Sequence, residues 1–205
     1  ITEVNKLIVR MVPEEFKKEW MVDAQAGTVA FGSAYHNWAT SLPFMAKKNV
    51  NFKQIYEFME KEQRRELAQA APLHEVLLDM IVEKLPSADA AQKYRIPHIW
   101  RGESEEDIGQ AMVNANANGD SAFMVTKVVL DPHAGEIAVG RLFSGTIKKG
   151  DQMYVAGMPN ANRVQSVGMF VGGDRIATEN VTAGNIIAVS GLRDAQSGST
   201  ISSNK

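Results

Sequence analysis

The sequence predicts an α+β fold in two parts: a mostly helical first half and an all-β second half. Three observations carry this. Apolar residues recur at helical spacing through residue 86. A Pro- and Asn-bearing stretch of changed composition covers residues 87–120. From Ser121 onward only short β-type runs separated by glycine-bearing turns remain. Many short strands without intervening helices argue for a closed barrel or a sandwich.

The first half reads as helix, strand, helix, helix. Pro13 followed by Glu14 and Glu15 makes a good first helical turn, since proline needs no amide partner there and carboxylates suit a helix N-terminus. Thr28–Phe31, closed by Gly32, is a short apolar run of the kind that forms a buried strand. Asn51 is placed to cap a helix whose Phe52, Ile55, Tyr56 and Met59 share one face, with Gln54 as its reciprocal partner. The polar run Glu60–Glu66 continues as that helix's solvated surface. The clearest helix lies between Pro72 and Pro86, with Leu73, Val76, Leu77, Met80, Ile81 and Leu85 at helical spacing. Residues 87–120 read as a connection holding one short helix, with the acidic stretch Glu103–Asp107 and the cluster Asn114–Asp120. The expected division is thus 1–86, 87–120 and 121–205.

In the second half, strands are expected at Ala122–Leu130, Glu136–Phe143, Gln152–Ala156, Arg163–Val171 and Asn185–Val189. Turns follow at Asp131–Gly135, Lys149–Asp151, Gly172–Asp174 and Ala183–Asn185. Gly140 inside a strand marks a β-bulge, which a small barrel uses to bend its sheet.

Composition excludes several function classes. With no cysteine, disulfide scaffolds, thiolate metal sites and cysteine nucleophiles are ruled out, and a reducing cytoplasm is the compartment that fits. No apolar run reaches membrane-spanning length. The net charge of −2 gives no case for wholesale wrapping of nucleic acid. It is unevenly spread: residues 1–120 hold 14 Lys and Arg against 18 Asp and Glu, and residues 121–205 hold 8 against 6. A weakly basic second half is compatible with local RNA contact. An initial Ile in place of Met, inside an amphipathic run, is read as a chain whose natural start lies upstream.

Three motif-like stretches fail on inspection. His74-Glu75 opens a zinc-protease pattern, but the position for its second histidine is Leu78. Gly145–Gln152 has the glycine spacing of a phosphate-binding loop, yet Asp151 stands where that loop needs lysine, and the flanks are strand-like, so the stretch reads as a hairpin. Asn5-Lys6-Leu7-Ile8 lacks the aspartate that would grip a guanine edge. The four histidines are scattered and form no catalytic order with Ser or Asp. No catalytic residue and no metal ligand set is assigned.

Several long blocks nevertheless resemble a known family. Phe31–Trp38 and the run from Pro72 to Ser87 are similar to the end of the GTPase domain of ribosomal translocation factors of the elongation factor 2 family. Asp131–Ile147 resembles the barrel signature of translation GTPases, and Arg163–Val167, Ala183–Ile186 and Gly191–Ala195 continue the match in order. The absence of a long insertion before Pro72 points to the archaeal kind. The resemblance implies the end of a GTP-binding domain over 1–86, an interdomain linker over 87–120 and a translation-factor β-barrel, domain II, over 121–205. It implies a parent protein that binds GTP or GDP with Mg and drives ribosomal translocation of tRNA and mRNA. No cofactor is expected on this segment by itself. Gly32, Ser33 and Ala34 fall on the family's guanine-edge motif, an incomplete pocket here. Docking to small-subunit ribosomal RNA and to the factor's remaining domains is implied for the barrel, with Arg141, Lys148, Lys149, Arg163 and Arg175 as phosphate contacts. Self-association through apolar surface on the Leu73–Leu85 helix is expected. Two other readings remain: a stand-alone RNA- or protein-binding barrel module, and the equivalent segment of a release or initiation factor.

Overall fold

In the computed structural model the described residues are 1–102 and 107–205, and they divide into two units, Ile1–Leu85 and Pro86–Lys205. The acidic stretch from Glu103 falls outside the described residues up to Asp107. No helix among the described residues is long and apolar enough to cross a membrane.

The first unit contains α1 (Thr2–Met11), α2 (Glu14–Trp20), β1 (Phe31–Ser33), β2 (Trp38–Thr40), α3 (Leu42–Lys48), α4 (Phe52–Glu60), α5 (Arg64–Ala70) and α6 (Leu73–Lys84). Pro13 takes the N-cap position of α2, with both glutamates in the first turn. The Asn51 side chain accepts from the Gln54 amide at 2.9 Å and the Gln54 side chain accepts from the Asn51 amide at 2.9 Å, a complete capping box that starts α4. The buried strand expected at Thr28–Phe31 is instead a short hairpin displaced toward the C-terminus. Gly32 pairs with Ala39 and Ser33 with Trp38, while Phe31 and Gly32 remain exposed. The reason is partnership: β2 is flanked on its other side by residues 71–73, through Ala39 N–H to the Ala71 carbonyl (3.0 Å) and Leu73 N–H to the Asn37 carbonyl (3.1 Å), and Ala39 and Thr40 take the buried positions. A small core of Ala39, Phe44, Ala71 and Val76 results, and the Lys47–Asp79 and Lys48–Glu75 ion pairs link α3 to α6 at 2.8 Å each.

The second unit opens with α7 (Ala88–Ile99) and α8 (Asp107–Val113), two helices where one is expected. Gln92 binds them to the sheet that follows: its buried side-chain amide donates to the carbonyls of Met112 and Phe143, the latter at 2.9 Å. The strands are β3 (Ala122–Asp131), β4 (Gly135–Ser144), β5 (Thr146–Lys148), β6 (Gln152–Val155), β7 (Ala161–Arg163), β8 (Ser166–Val171), β9 (Asp174–Thr178), β10 (Asn180–Thr182), β11 (Ile186–Ser190) and β12 (Thr200–Ser202). Eight of them form one antiparallel sheet in the order β7-β6-β12-β3-β4-β11-β8-β9, and β5 pairs with β10. Phe123, Leu142, Ile147, Met153, Ile187 and Ile201 meet in a single core inside this sheet. The run expected as one strand over Arg163–Val171 is broken at Val164 and Gln165, where the chain turns a corner. Val164 N–H donates to the Asp151 carbonyl and Gln165 N–H to the Ser190 carbonyl, each at 2.9 Å, which carries the edge near β7 round to β11. Gly191 permits this approach, because a Cβ there would lie 2.5 Å from the Arg163 carbonyl oxygen. The result is a barrel rather than a flat sheet.

The bulge expected at Gly140 is present, with its extra residue on the opposite strand. Val125 pairs with Gly140 and Lys127 with Val139, so Thr126 is the bulged residue, and its hydroxyl donates to the Val139 carbonyl at 3.0 Å.

Candidate nucleic-acid interface

The turn joining β5 to β6 is built to expose cations. Gly150 has φ +95°, a left-handed conformation that favours glycine. The Lys148 amide donates to the Asp151 carboxylate at 2.9 Å, so this aspartate is spent on closing the turn, while the Lys148 and Lys149 side chains remain exposed. The stretch is not a paired hairpin, since β5 takes β10 as its partner and β6 takes β7 and β12. That arrangement sets Arg163 beside the turn. Arg163 is registered against Gln152, Gly150 N–H donates to the Val164 carbonyl at 2.9 Å, and the Arg163 guanidinium lies 3.9 Å from where a Cβ on Gly150 would sit. Lys148, Lys149 and Arg163 thus share one corner of the barrel, with no ion pair to any of them among the described residues. Arg193 borders the same corner, its amide donating to the Asn162 side chain at 3.0 Å. Sequence reasoning missed it because Asn162 and Arg193 are brought together only by the fold.

The other two predicted cations are placed differently. Arg141 lies in β4 between Met124 of β3 and Ile186 of β11, half-buried, and carries no ion pair or side-chain hydrogen bond among the described residues. Burial pushes its guanidinium pKa below the ordinary value, and the neighbouring Arg95 charge on α7 adds to this. Arg175 is also half-buried, but its guanidinium donates to the Ser166 hydroxyl at 3.0 Å, which in turn meets the Ser190 hydroxyl at 2.7 Å. The contact it makes is internal, tying β9 to β8.

Gly32, Ser33 and Ala34 run from β1 into the turn before β2. The Ser33 hydroxyl accepts from the His36 amide at 3.3 Å, and the Asn37 amide donates to the Ala34 carbonyl at 3.2 Å. A side chain at Gly32 would collide with the Trp38 carbonyl oxygen at 2.4 Å, so the hairpin itself accounts for this glycine. The turn is exposed at Ala34 and Tyr35. No group of acidic, His or Cys side chains that could hold a metal occurs among the described residues.

Comparison with known proteins agrees with the motif blocks. The family profile described as "Elongation factor Tu domain 2" matches residues 135–202, which run from β4 to β12. The chain is 53% identical over 203 residues to "Elongation factor 2" of Picrophilus torridus, covering 99% of this chain and 28% of that protein. It is 53% identical over 205 residues to "Elongation factor 2" of Thermococcus gammatolerans, covering all of this chain and 28% of that protein. To "Elongation factor 2" of Methanococcus vannielii it is 51% identical over 203 residues, again with 28% of the relative covered. The chain therefore spans just over a quarter of the length of the curated relatives it matches. With its β-barrel matched as a translation-factor domain 2 and its whole length matched to these relatives, the chain belongs to the elongation factor 2 family of the archaeal type.

Proposed function

We propose that this chain is the docking segment of a translation GTPase, with the barrel contacting small-subunit ribosomal RNA. The observation that carries the reading is the corner at Lys148, Lys149 and Arg163: three exposed cations on one rigid turn whose only nearby carboxylate is used by the backbone. Long cationic side chains on a fixed turn suit contact with phosphate oxygens, which position a protein on RNA without reading its bases. Arg141 is a further contact, and Arg175, held by Ser166, contributes least. In the longer proteins of this family, such docking would serve GTP hydrolysis coupled to movement of tRNA and mRNA. The remaining domains of such a factor are the other partner of this segment.

Gly32–Ala34 fits one edge of a guanine pocket, since small residues in an exposed turn let main-chain groups approach a base. Neither that turn nor the Gly145–Gln152 stretch supplies a ligand for phosphates or Mg, because Asp151 occupies the place a phosphate-binding lysine would hold. GTP or GDP with Mg thus belongs with residues supplied from outside this segment, and titration calorimetry with GDP is expected to show no binding to this chain. Saturable binding would contradict this assignment.

The docking proposal is tested by cosedimentation with isolated archaeal small ribosomal subunits. The chain should pellet with the subunit, and the variant carrying Lys148→Gln, Lys149→Gln and Arg163→Gln should stay in the supernatant. Equal pelleting of both would remove the corner from the interface.

A further inference from the structure

α7 lies against the outward side of β4. Gln92 donates to the Phe143 carbonyl, and Ile96 packs in one cluster with Met112, Ala122 and the half-buried Phe143 and Trp100. Side chains alternate along a strand, and Leu142 points into the barrel core, so Arg141 and Phe143 share the outward face. On the helix, Arg95 stands between Gln92 and Ile96, the two residues that hold α7 to this strand. The Arg95 and Arg141 guanidiniums are consequently neighbours, close enough that the charge of one disfavours ionisation of the other. Neither is paired with a carboxylate among the described residues. The residues beside Arg141 across the sheet, Met124 and Ile186, are apolar and neutralise nothing. Two like charges in a partly desolvated place repel one another, and a bound anion relieves that repulsion.

We infer that Arg95 and Arg141 form a two-arginine phosphate site, whose ligand is an RNA backbone phosphodiester and whose second arm comes from α7. This rests on the docking reading above and extends it from the barrel strands onto the helix that precedes them. A phosphodiester offers two free oxygens, which guanidiniums approaching from the helix and from the strand can each take.

The test is fluorescence anisotropy of the 205-residue chain with a short labelled RNA duplex across a range of potassium chloride. Arg95→Gln should weaken binding about tenfold and lower the slope of log K against log salt by about 0.9, one phosphate contact. Arg95→Lys should restore the slope, which a merely structural effect of the substitution would not do. Wild-type affinity and slope in Arg95→Gln, with Arg141→Gln weakened, would overturn this inference and leave the docking reading standing. If no cationic variant, including the Lys148–Lys149–Arg163 set, changed RNA binding, the docking reading itself would fail. Competition by polyglutamate at the pair with no effect of Arg95→Gln on RNA would assign it to an acidic protein partner and overturn the proposal.

Discussion

At Gly140 the two longest strands approach too closely for any side chain. A Cβ there would stand 1.9 Å from the Met124 carbonyl oxygen, which is backbone and cannot swing aside. Gly140→Ala is predicted to destabilise the barrel by about 3 kcal/mol, at the upper end for overpacking, measured as a lowered urea midpoint for the second unit. Asp131 gives a pH-dependent counterpart. Its carboxylate accepts from the Ala134 and His133 amides, at 2.8 Å each, and these bonds hold its pKa below the ordinary 3.8. Because the folded value is the lower one, the stabilisation is present above 3.8 and is lost as pH falls through the folded value. Amide-exchange protection at His133 and Ala134 should therefore drop with acidification below that range, and Asp131→Asn should show the low protection at every pH. A glycine inside a strand made the bulge legible in the sequence. The identity of the bulged residue, Thr126, was not, because it depends on the register of the partner strand. Likewise the exposure of Lys148 and Lys149 could be read from a turn, whereas the Arg175–Ser166 bond depends on how two strands line up.

Among the elements, α6 shows what periodicity conveys and what it omits. Its apolar residues recur at helical spacing as read, but only Val76 is buried, while Leu78 is 58% and Val82 is 82% exposed. Periodicity identifies the helix; which of its faces is covered depends on the rest of the fold. A continuous apolar face in water favours association. Sedimentation velocity is expected to show concentration-dependent self-association of this chain, reduced in Leu78→Glu/Val82→Glu. A concentration-independent monomer would contradict it. α4 is the opposite case, its start set by local chemistry alone. Asn51→Ala should cost about 1 kcal/mol, read as a loss of helicity and a lower midpoint for the first unit. The three-residue strands β5, β10 and β12 were not legible, because they are too short to show alternation and exist only through distant partners such as Thr182 opposite Thr146.

At the scale of the whole molecule, the two units differ in how they are built. The first has a small core around Ala39, Phe44, Ala71 and Val76, and the second has a fifteen-residue core inside a barrel. The barrel was legible because strand, turn and glycine recur in a regular order, and because its motif blocks are long. Its cationic corner was only half legible: the residue types could be named, but the clustering of Lys148, Lys149 and Arg163 needs the closure at Val164 and Gln165. The central claim is that this corner contacts phosphates, and electrostatic contact with RNA leaves a thermodynamic mark in its dependence on salt. The most direct measurement is the slope of log K against log salt for binding to small-subunit ribosomal RNA, compared between the chain and its Lys148→Gln/Lys149→Gln/Arg163→Gln variant. Three lost phosphate contacts should flatten the slope by about 2–3. An unchanged slope and affinity in the variant would contradict the account.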